Sequence, residues 1–210
     1  IVYKIITMVE FVNREKELLF LDSEESNNKF CFLVLSGRRR VGKTFLIKHF
    51  LKNKEDAVYI YIPEEDKIAV KMQVAKMLGE KFGLSFIGFP EWSEIFEKIF
   101  AFSEKKRITV VFDEFQRFSS IDKSMFSHLQ DKIDKYKDTS KLFLVAMGSS
   151  IGMMEDIFQT EGAALFGRKT GQIKLEPFNF RNTRKMLGLG IQFAIRYYNF
   201  FNAFISRNNI

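Results

Sequence analysis

Cysteine and histidine are scarce in this chain of 210 residues, which contains one cysteine and two histidines. With Cys31 alone, no intramolecular disulfide can form, and nothing in the sequence points to an oxidising compartment. Cys31 lies in the apolar run FCFLVL, and we interpret it as a small buried core residue. His49 and His128 are far apart and stand in no cluster of cysteine or histidine. We therefore expect no metal site built from nitrogen or sulfur ligands.

The chain also lacks an apolar run suited to spanning a membrane. The N-terminal sequence IVYKIITMVEF is too short to cross a bilayer and has no small-residue cleavage pattern of a secretory signal. Residues 186–210 are rich in Phe, Tyr and Ile, but polar residues interrupt them at Gln192, Arg196, Asn199 and Asn202. These features indicate a cytoplasmic protein without membrane contact, and we interpret the apolar tail as an amphipathic helix that seeks a partner surface.

An excess of one charge sign is present but modest. The 33 Lys and Arg residues outnumber the 26 Asp and Glu residues, which gives a formal net charge of +7. This suggests nucleic acid, nucleotides or another polyanion as partners, although such an excess often serves only solubility.

Internal repeats and low-complexity linkers are absent, so we expect residues 9–185 to form one domain. Residues 1–8 would be an N-terminal extension, and residues 186–210 the start of a missing lid or second domain.

Short continuous apolar runs alternate along the chain with stretches of helical spacing. This alternation is typical of an α/β fold with a mostly parallel sheet. Five strands are predicted at residues 30–36, 57–63, 108–113, 141–148 and 172–178. The predicted apolar helix faces comprise Ile68, Met72, Ala75 and 77–82, then Trp92, Ile95, Phe96, Ile99 and Phe100, and then Ile121, Met125, Leu129 and Ile133. We expect these faces to form core rather than binding surfaces.

The sequence GRRRVGKT, residues 37–44, matches the phosphate-binding pattern G-x-x-x-x-G-K-[ST] with nothing out of place. An apolar strand precedes it and a helical pattern follows it, so a chance glycine-rich turn that binds nothing is the weaker alternative. Glycines let the backbone curl so that consecutive N–H groups point at phosphate oxygens, and the helix N-terminus adds positive potential. Lys43 would then reach the β- and γ-phosphates, and the Thr44 hydroxyl would be a magnesium ligand.

The whole loop is expected to surround the phosphates. Its three arginines occupy variable positions of the pattern, so we expect their backbone to hold phosphate and their side chains to face solvent or a neighbour. The predicted nucleotide-binding residues of this segment are Gly37, Arg38, Arg39, Arg40, Val41, Gly42, Lys43, Thr44 and Phe45.

A second element is the apolar strand ITVVFD, which ends in adjacent carboxylates at Asp113 and Glu114. This is the form of a Walker B strand. Asp113 would hold magnesium through water, and Glu114 would polarise the water that attacks the γ-phosphate. Adjacent carboxylates alone are common in solvated turns, but the spacing from Lys43 leaves room for one strand and two helices between the elements. We therefore pair the two elements in one site.

A third element is the run LFLVAMGSS at residues 142–150. In P-loop ATPases with a catalytic glutamate, an extra strand lies between the strand of the phosphate loop and the Walker B strand, and a polar residue at its end faces the γ-phosphate. Ser149 or Ser150 would fill this role as a phosphate sensor. Serines after a strand also cap helices, here one that would begin near Ile151, and the sequence leaves both readings open.

Taken together, the chain resembles the archaeal-type ATPase family, a branch of the P-loop ATPases related to the AAA+ and STAND groups. The resemblance implies a three-layer α/β/α sandwich with a five-stranded sheet in the order 5-1-4-3-2. It also implies ATP with magnesium as the ligand, and slow hydrolysis coupled to a conformational change. The matching stretches are FVNREKELLFL (11–21), GRRRVGKT (37–44), VVFDEFQRF (110–118), LVAMGSSIGMM (144–154) and LFGRKTGQIKLEPF (165–178).

The resemblance also implies roles for residues at both ends of the domain. Phe11, Val12 and Arg14 are candidates for contacts with the adenine, although the same stretch can be an amphipathic helix start capped by Asn13. Arg168 is similar to an arginine that the group places before its fifth strand. It would contact the γ-phosphate in cis or act as a finger in a neighbouring subunit, or simply face solvent.

Three functions are compatible with these residues. The first is a magnesium-dependent ATPase that works as a switch or motor, which the carboxylate of Glu114 favours. The second is an ATP-binding regulatory module with little or no turnover, which the missing lid favours. The third is a nucleic-acid-binding module, for which no recognition motif appears. Self-association would use Arg168 or the C-terminal tail, and DNA stays open as a partner on charge alone.

Overall fold

Strands and helices alternate along residues 14–177, which together with Ile195 and Asn199 are the part of the chain that our computed structural model describes. The strands are β1 (Cys31–Ser36), β2 (Ala57–Tyr61), β3 (Ile108–Asp113), β4 (Leu142–Gly148) and β5 (Gly171–Lys174). The helices are α1 (Glu15–Ser26), α2 (Lys43–Leu51), α3 (Lys67–Phe82), α4 (Trp92–Lys105), α5 (Phe118–Ile121), α6 (Ser124–Tyr136) and α7 (Ile151–Gln159), and a short 3-10 helix spans Phe115–Arg117.

All five strands form one sheet in the order β2-β3-β4-β1-β5, and every neighbouring pair is parallel. This is the predicted order read from the opposite edge, so the prediction of sheet and topology is confirmed. The register aligns Ser36 with Gly148 and Asp113 with Met147. Because parallel strands end at the same edge, the loops after β1, β3 and β4 meet there.

The sheet is covered on both faces, which confirms the three-layer architecture. Successive strand residues alternate between two buried clusters: Leu33 and Leu35 of β1 belong to one, and Phe32 and Val34 to the other. Helices α1 and α2 cover the first face through Leu21, Leu46, Ile47 and Phe50. Helices α3, α4, α6 and α7 cover the second face. Within the described residues, no helix combines the length and apolar character needed to cross a bilayer.

The central strands β1, β3 and β4 are buried along their whole length, as their continuous apolar runs predict. The strands β2 and β5 lie at the edges of the sheet, and both end earlier than predicted, at Tyr61 and Lys174. An edge strand has a partner on one side only, so its pairing ends where that partner ends.

Two helix predictions were wrong in detail. In helix α3 the predicted Ala75 and Leu78 are buried, but Ile68 and Met72 are 47% and 40% exposed. Val70 and Val74, which were not predicted, are buried in their place. This helix carries apolar residues at two sets of positions, and spacing alone does not show which set faces the sheet. Ile121 ends the short helix α5, because the extended backbone of Asp122 separates it from α6.

Candidate functional site

A cleft of about 570 Å³ lies at the carboxyl edge of the sheet, where β1, β3 and β4 end. Its volume is within the range of pockets that hold a small ligand or cofactor. It brings together residues that are far apart in the sequence. The lining residues are Arg39, Arg40, Gly42, Lys43, Thr44, Phe45, Asp113, Glu114, Arg117 and Ser149.

The loop after β1 is tightly curled. Arg40 and Gly42 have left-handed backbone angles, with φ of 68° and 97°. At Gly37 a Cβ atom would lie 2.5 Å from the carbonyl oxygen of Leu175, so only glycine fits against the segment after β5. Helix α2 then begins at Lys43, so its N-terminus, with the free N–H groups of its first turn, lies at the cleft. A curled backbone that leads into a helix N-terminus is suited to bind phosphate.

Lys43 is buried at the base of this loop, with 7% of its surface exposed. Its Nζ donates hydrogen bonds to the carbonyl oxygens of Gly37 at 2.7 Å and Arg38 at 3.0 Å. Burial lowers the pKa of Lys43, and the negative charges of Glu114 and Asp113 oppose this shift. Since both direct acceptors are neutral, the ammonium charge would gain strongly from a bound anion.

Asp113 ends β3 opposite the start of helix α2. The hydroxyl of Thr44 donates to its Oδ2 at 3.4 Å, and the hydroxyl of Tyr59 donates to the same oxygen. The N–H of Glu114 donates to Oδ1 at 2.9 Å. Burial raises the pKa of Asp113, and the hydrogen bond from Tyr59 opposes this shift. A hydroxyl and a carboxylate oxygen side by side are hard oxygen ligands, so Thr44 and Asp113 fit magnesium.

Glu114 follows in a left-handed conformation, with φ of 59°. This turn directs its carboxylate to the hydroxyl of Ser149, which donates to Oε2 at 2.9 Å. The side-chain amide of Gln116 donates to the same oxygen. The buried rings of Phe115 and Phe118, whose centroids are 5.5 Å apart, anchor the turn in the core. Glu114 and Ser149 are thus held together at the floor of the cleft.

Ser150, the other candidate sensor, stands at the N-cap position of α7 and makes no side-chain capping hydrogen bond. Ser149 lines the cleft, whereas Ser150 is not among its lining residues. The geometry therefore brings Ser149, and not Ser150, to the carboxylate of Glu114.

The arginines of the loop differ in position. All three are exposed, but Arg39 and Arg40 line the cleft and Arg38 does not. Phe45 also lines the cleft and is 50% exposed. Val41 is buried among the apolar residues of the first face, so its side chain belongs to the core while its backbone belongs to the loop.

The predicted adenine contacts are only partly described. Phe11 and Val12 lie outside the described residues. Arg14 is buried and donates to the carbonyl oxygens of Val41 at 3.2 Å and Glu176 at 2.7 Å. Its side chain therefore forms hydrogen bonds with both the loop 37–44 and the segment that follows β5.

Arg168 lies away from the cleft lining. Its guanidinium pairs with Asp134 of helix α6, with Nη2 donating to Oδ2 at 2.7 Å and Nε donating to Oδ1 at 3.1 Å. The pair lies on the face of the sheet that carries α6. The roles in cis or across a subunit boundary stay predictions.

Three residues near the carboxylates were not predicted from the sequence: Tyr59, Gln116 and Arg117. Arg117 donates to the hydroxyl of Tyr61 at 2.7 Å and to the carbonyl oxygen of Ile62 at 2.6 Å, and so joins the end of β3 to the end of β2. Gln116 and Arg117 directly follow the predicted pair of carboxylates, and this adjacency is the signal that could have found them. Tyr59 gave no such signal, because it is one of several apolar residues in a predicted strand.

Comparison with known proteins shows the family of the chain. A family model described as an ATPase domain predominantly from Archaea matches residues 11–194. An uncharacterized protein of Methanocaldococcus jannaschii is 30% identical over 175 residues, which are 83% of this chain and 38% of that protein. An uncharacterized ATP-binding protein of the same organism is 56% identical over 48 residues, 23% of this chain and 81% of that protein. The chain thus spans well under half of the longer relative.

Solved structures show the same fold. The Walker-type ATPase PABY2304 of Pyrococcus abyssi superposes with a TM-score of 0.66 at 20% identity, over 84% of this chain and 57% of that one. The ORC1 protein of Aeropyrum pernix, solved in complex with DNA, superposes with a TM-score of 0.63 at 16% identity, over 86% of this chain and 50% of that one. Since the family model covers most of the residues, the chain belongs to the family of ATPase domains found predominantly in Archaea.

Proposed function

We propose that this domain binds ATP together with magnesium and hydrolyses it to drive a conformational switch. One observation carries the proposal. The hydroxyl of Thr44 and the carboxylate of Asp113, which are 69 positions apart in the sequence, are 3.4 Å apart in one cleft that also contains Lys43. This combination of an ammonium and two oxygen ligands is what a magnesium-bound triphosphate requires.

In this proposal the backbone of the loop 37–44 and the ammonium of Lys43 bind the phosphates. Nζ of Lys43 would exchange its contacts with two carbonyl oxygens for phosphate oxygens. Thr44 and Asp113 would hold magnesium, which neutralises charge on the β- and γ-phosphates when bound. Arg39 and Arg40, at the cleft wall, would add positive potential.

Glu114 is the proposed general base for the attacking water. In the structure its Oε2 accepts a hydrogen bond from the Ser149 hydroxyl. If that hydroxyl donates to a phosphate instead, its bond to Glu114 is lost. Binding of the γ-phosphate would in this way change the contacts of the segment between β4 and helix α7, in which Ser149 lies.

A second candidate is an ATP-binding regulatory module with little turnover. The carboxylate oxygen Oε2 of Glu114 accepts from two donors, Ser149 and Gln116, and a water that is to be activated has to compete with both for this oxygen. DNA association belongs to this alternative. It is supported by the net charge of +7 and by the structural neighbour ORC1, which was solved with DNA, and it predicts binding that weakens steeply with salt.

Single-turnover hydrolysis of ATP by the wild type and by Glu114→Gln separates the two functions. A general base contributes about 10²- to 10⁴-fold, so the ATPase proposal expects a loss of that order with ATP binding retained. Glu155→Gln, a change on the exposed surface of helix α7, is the matched control and should hydrolyse as the wild type does. Equal, slow rates in all three proteins would refute the ATPase and favour the regulatory module.

A further inference from the structure

Tyr59 is a polar side chain at the site to which the family motifs assign no role. It lies in β2, the edge strand beside β3, and pairs with Val111 in the register. Its side chain is on the face of the sheet that α1 and α2 cover, as is the side chain of Val111. Asp113 is two residues beyond Val111 and therefore points to the same face. The side chain of Tyr59 is long enough for its hydroxyl to reach this carboxylate.

The contacts of Asp113 account for both carboxylate oxygens. Oδ1 accepts from the N–H of Glu114 at 2.9 Å. Oδ2 accepts from the hydroxyl of Thr44 at 3.4 Å and from the hydroxyl of Tyr59. The Thr44 contact is long for a hydrogen bond between oxygens. Tyr59 is therefore the side chain that fixes the rotation of the carboxylate, with Oδ2 toward Thr44.

The position of Tyr59 is itself fixed. The ring is half-buried against the apolar cluster of the first face, and Nζ of Lys48 lies 5.4 Å from its centroid. Lys48 belongs to helix α2, the helix that also carries Thr44. The ring is thus near Lys48 of helix α2, while its hydroxyl contacts Asp113 of β3.

We propose that Tyr59 is a positioning residue for magnesium, whose hydroxyl holds Oδ2 of Asp113 beside the hydroxyl of Thr44. The inference rests on the proposed function and adds a residue to it. Magnesium demands near-octahedral geometry, so its affinity depends on how well its oxygen ligands are oriented. Changing a residue that orients a metal ligand through a hydrogen bond typically costs about 10- to 100-fold in metal affinity.

Tyr59→Phe removes one oxygen and keeps the ring, and Tyr61→Phe is the matched control. Tyr61 is in the same strand, two residues nearer its carboxyl end. Its hydroxyl accepts a hydrogen bond from Arg117 rather than contacting Asp113. ATP affinity is measured by calorimetry in EDTA and then as a function of magnesium concentration. Thermal unfolding of each variant establishes that it is folded at the temperature of the titration.

For Tyr59→Phe we expect unchanged ATP affinity in EDTA and an increase of about 10- to 100-fold in the magnesium concentration that gives half of the metal-dependent effect. Tyr61→Phe should match the wild type in both measurements. An equal loss of affinity with and without magnesium would show a merely structural role and overturn the proposal. An unchanged midpoint, or a lower one because Tyr59 competes with the metal for Oδ2, would overturn it too.

The control arms separate this inference from the proposed function. If the wild type binds ATP and magnesium strengthens the binding, the result for Tyr59→Phe tests the role of Tyr59 alone. If the wild type binds no ATP, or magnesium has no effect on it, the proposed function fails first and the role of Tyr59 fails with it.

Discussion

Replacing Gly37 with alanine should destabilise the fold, because the backbone after β1 has no room for a side chain. The added Cβ would lie 2.5 Å from the carbonyl oxygen of Leu175 and 3.2 Å from Cγ2 of Val41. The Leu175 carbonyl is backbone and cannot rotate away. Its own N–H donates to the carbonyl oxygen of Ser36 at 2.7 Å, and the next carbonyl, of Glu176, accepts from Arg14 at 2.7 Å.

The magnitude follows from these contacts. Overpacking a close contact costs about 1–3 kcal/mol. If the segment moves enough to lose its hydrogen bond to Ser36, the cost rises by about 0.5–1.5 kcal/mol. We therefore expect Gly37→Ala to lower the free energy of unfolding by about 2–4 kcal/mol. In a chain of this size each kcal/mol corresponds to about 2–4 °C in Tm.

The assay is urea unfolding followed by fluorescence of Trp92, the single tryptophan, which is fully buried. Gly152→Ala is the control: this glycine lies in helix α7, has nothing within 4 Å of an added Cβ, and alanine there should stabilise by about 0.5–1 kcal/mol. If Gly37→Ala unfolds within about 0.5 kcal/mol of the wild type, the close approach of the loop to Leu175 is wrong.

Two further predictions concern pH and thiol chemistry. Hydrogen bonds to Glu97 from Lys132 and Lys135 lower its pKa to about 2, so its contribution to stability is complete above its unfolded pKa of about 4.3 and is lost as the pH falls toward 2. In urea unfolding between pH 6 and pH 2, the difference between the wild type and Glu97→Gln should shrink; a constant difference would contradict the shift. Cys31 is 3% exposed, and burial raises the pKa of its thiol to about 12. A thiol reagent at pH 8 should therefore label Cys31 only when urea unfolds the protein. Prompt labelling of the folded protein would contradict the burial of this thiol.

Much of the site could be predicted because its main parts are contiguous in the sequence. The loop from Gly37 to Thr44 and the pair Asp113 and Glu114 each follow a buried strand, and parallel strands bring their carboxyl ends to one edge. The cleft that contains Lys43, Thr44 and both carboxylates follows directly from this rule.

The contacts that were missed join residues distant in sequence. The bond from Tyr59 to Asp113 depends on the register of β2 against β3, and the bonds of Arg14 depend on where the chain passes after β5. No local pattern encodes either. The pairing of Arg168 with Asp134 likewise requires the packing of α6, which apolar spacing predicts as a helix but does not place.

In the proposed function, Lys43 and a magnesium ion held by Thr44 and Asp113 bind one triphosphate. Calorimetric titration of ATP, with magnesium and with EDTA, on the wild type and on Lys43→Ala tests it most directly. Lys52→Ala, an exposed lysine just after the same helix, is the control. We expect tighter binding with magnesium and a severe loss of affinity in Lys43→Ala alone. Equal affinity in all three proteins, or no effect of magnesium on the wild type, would contradict it.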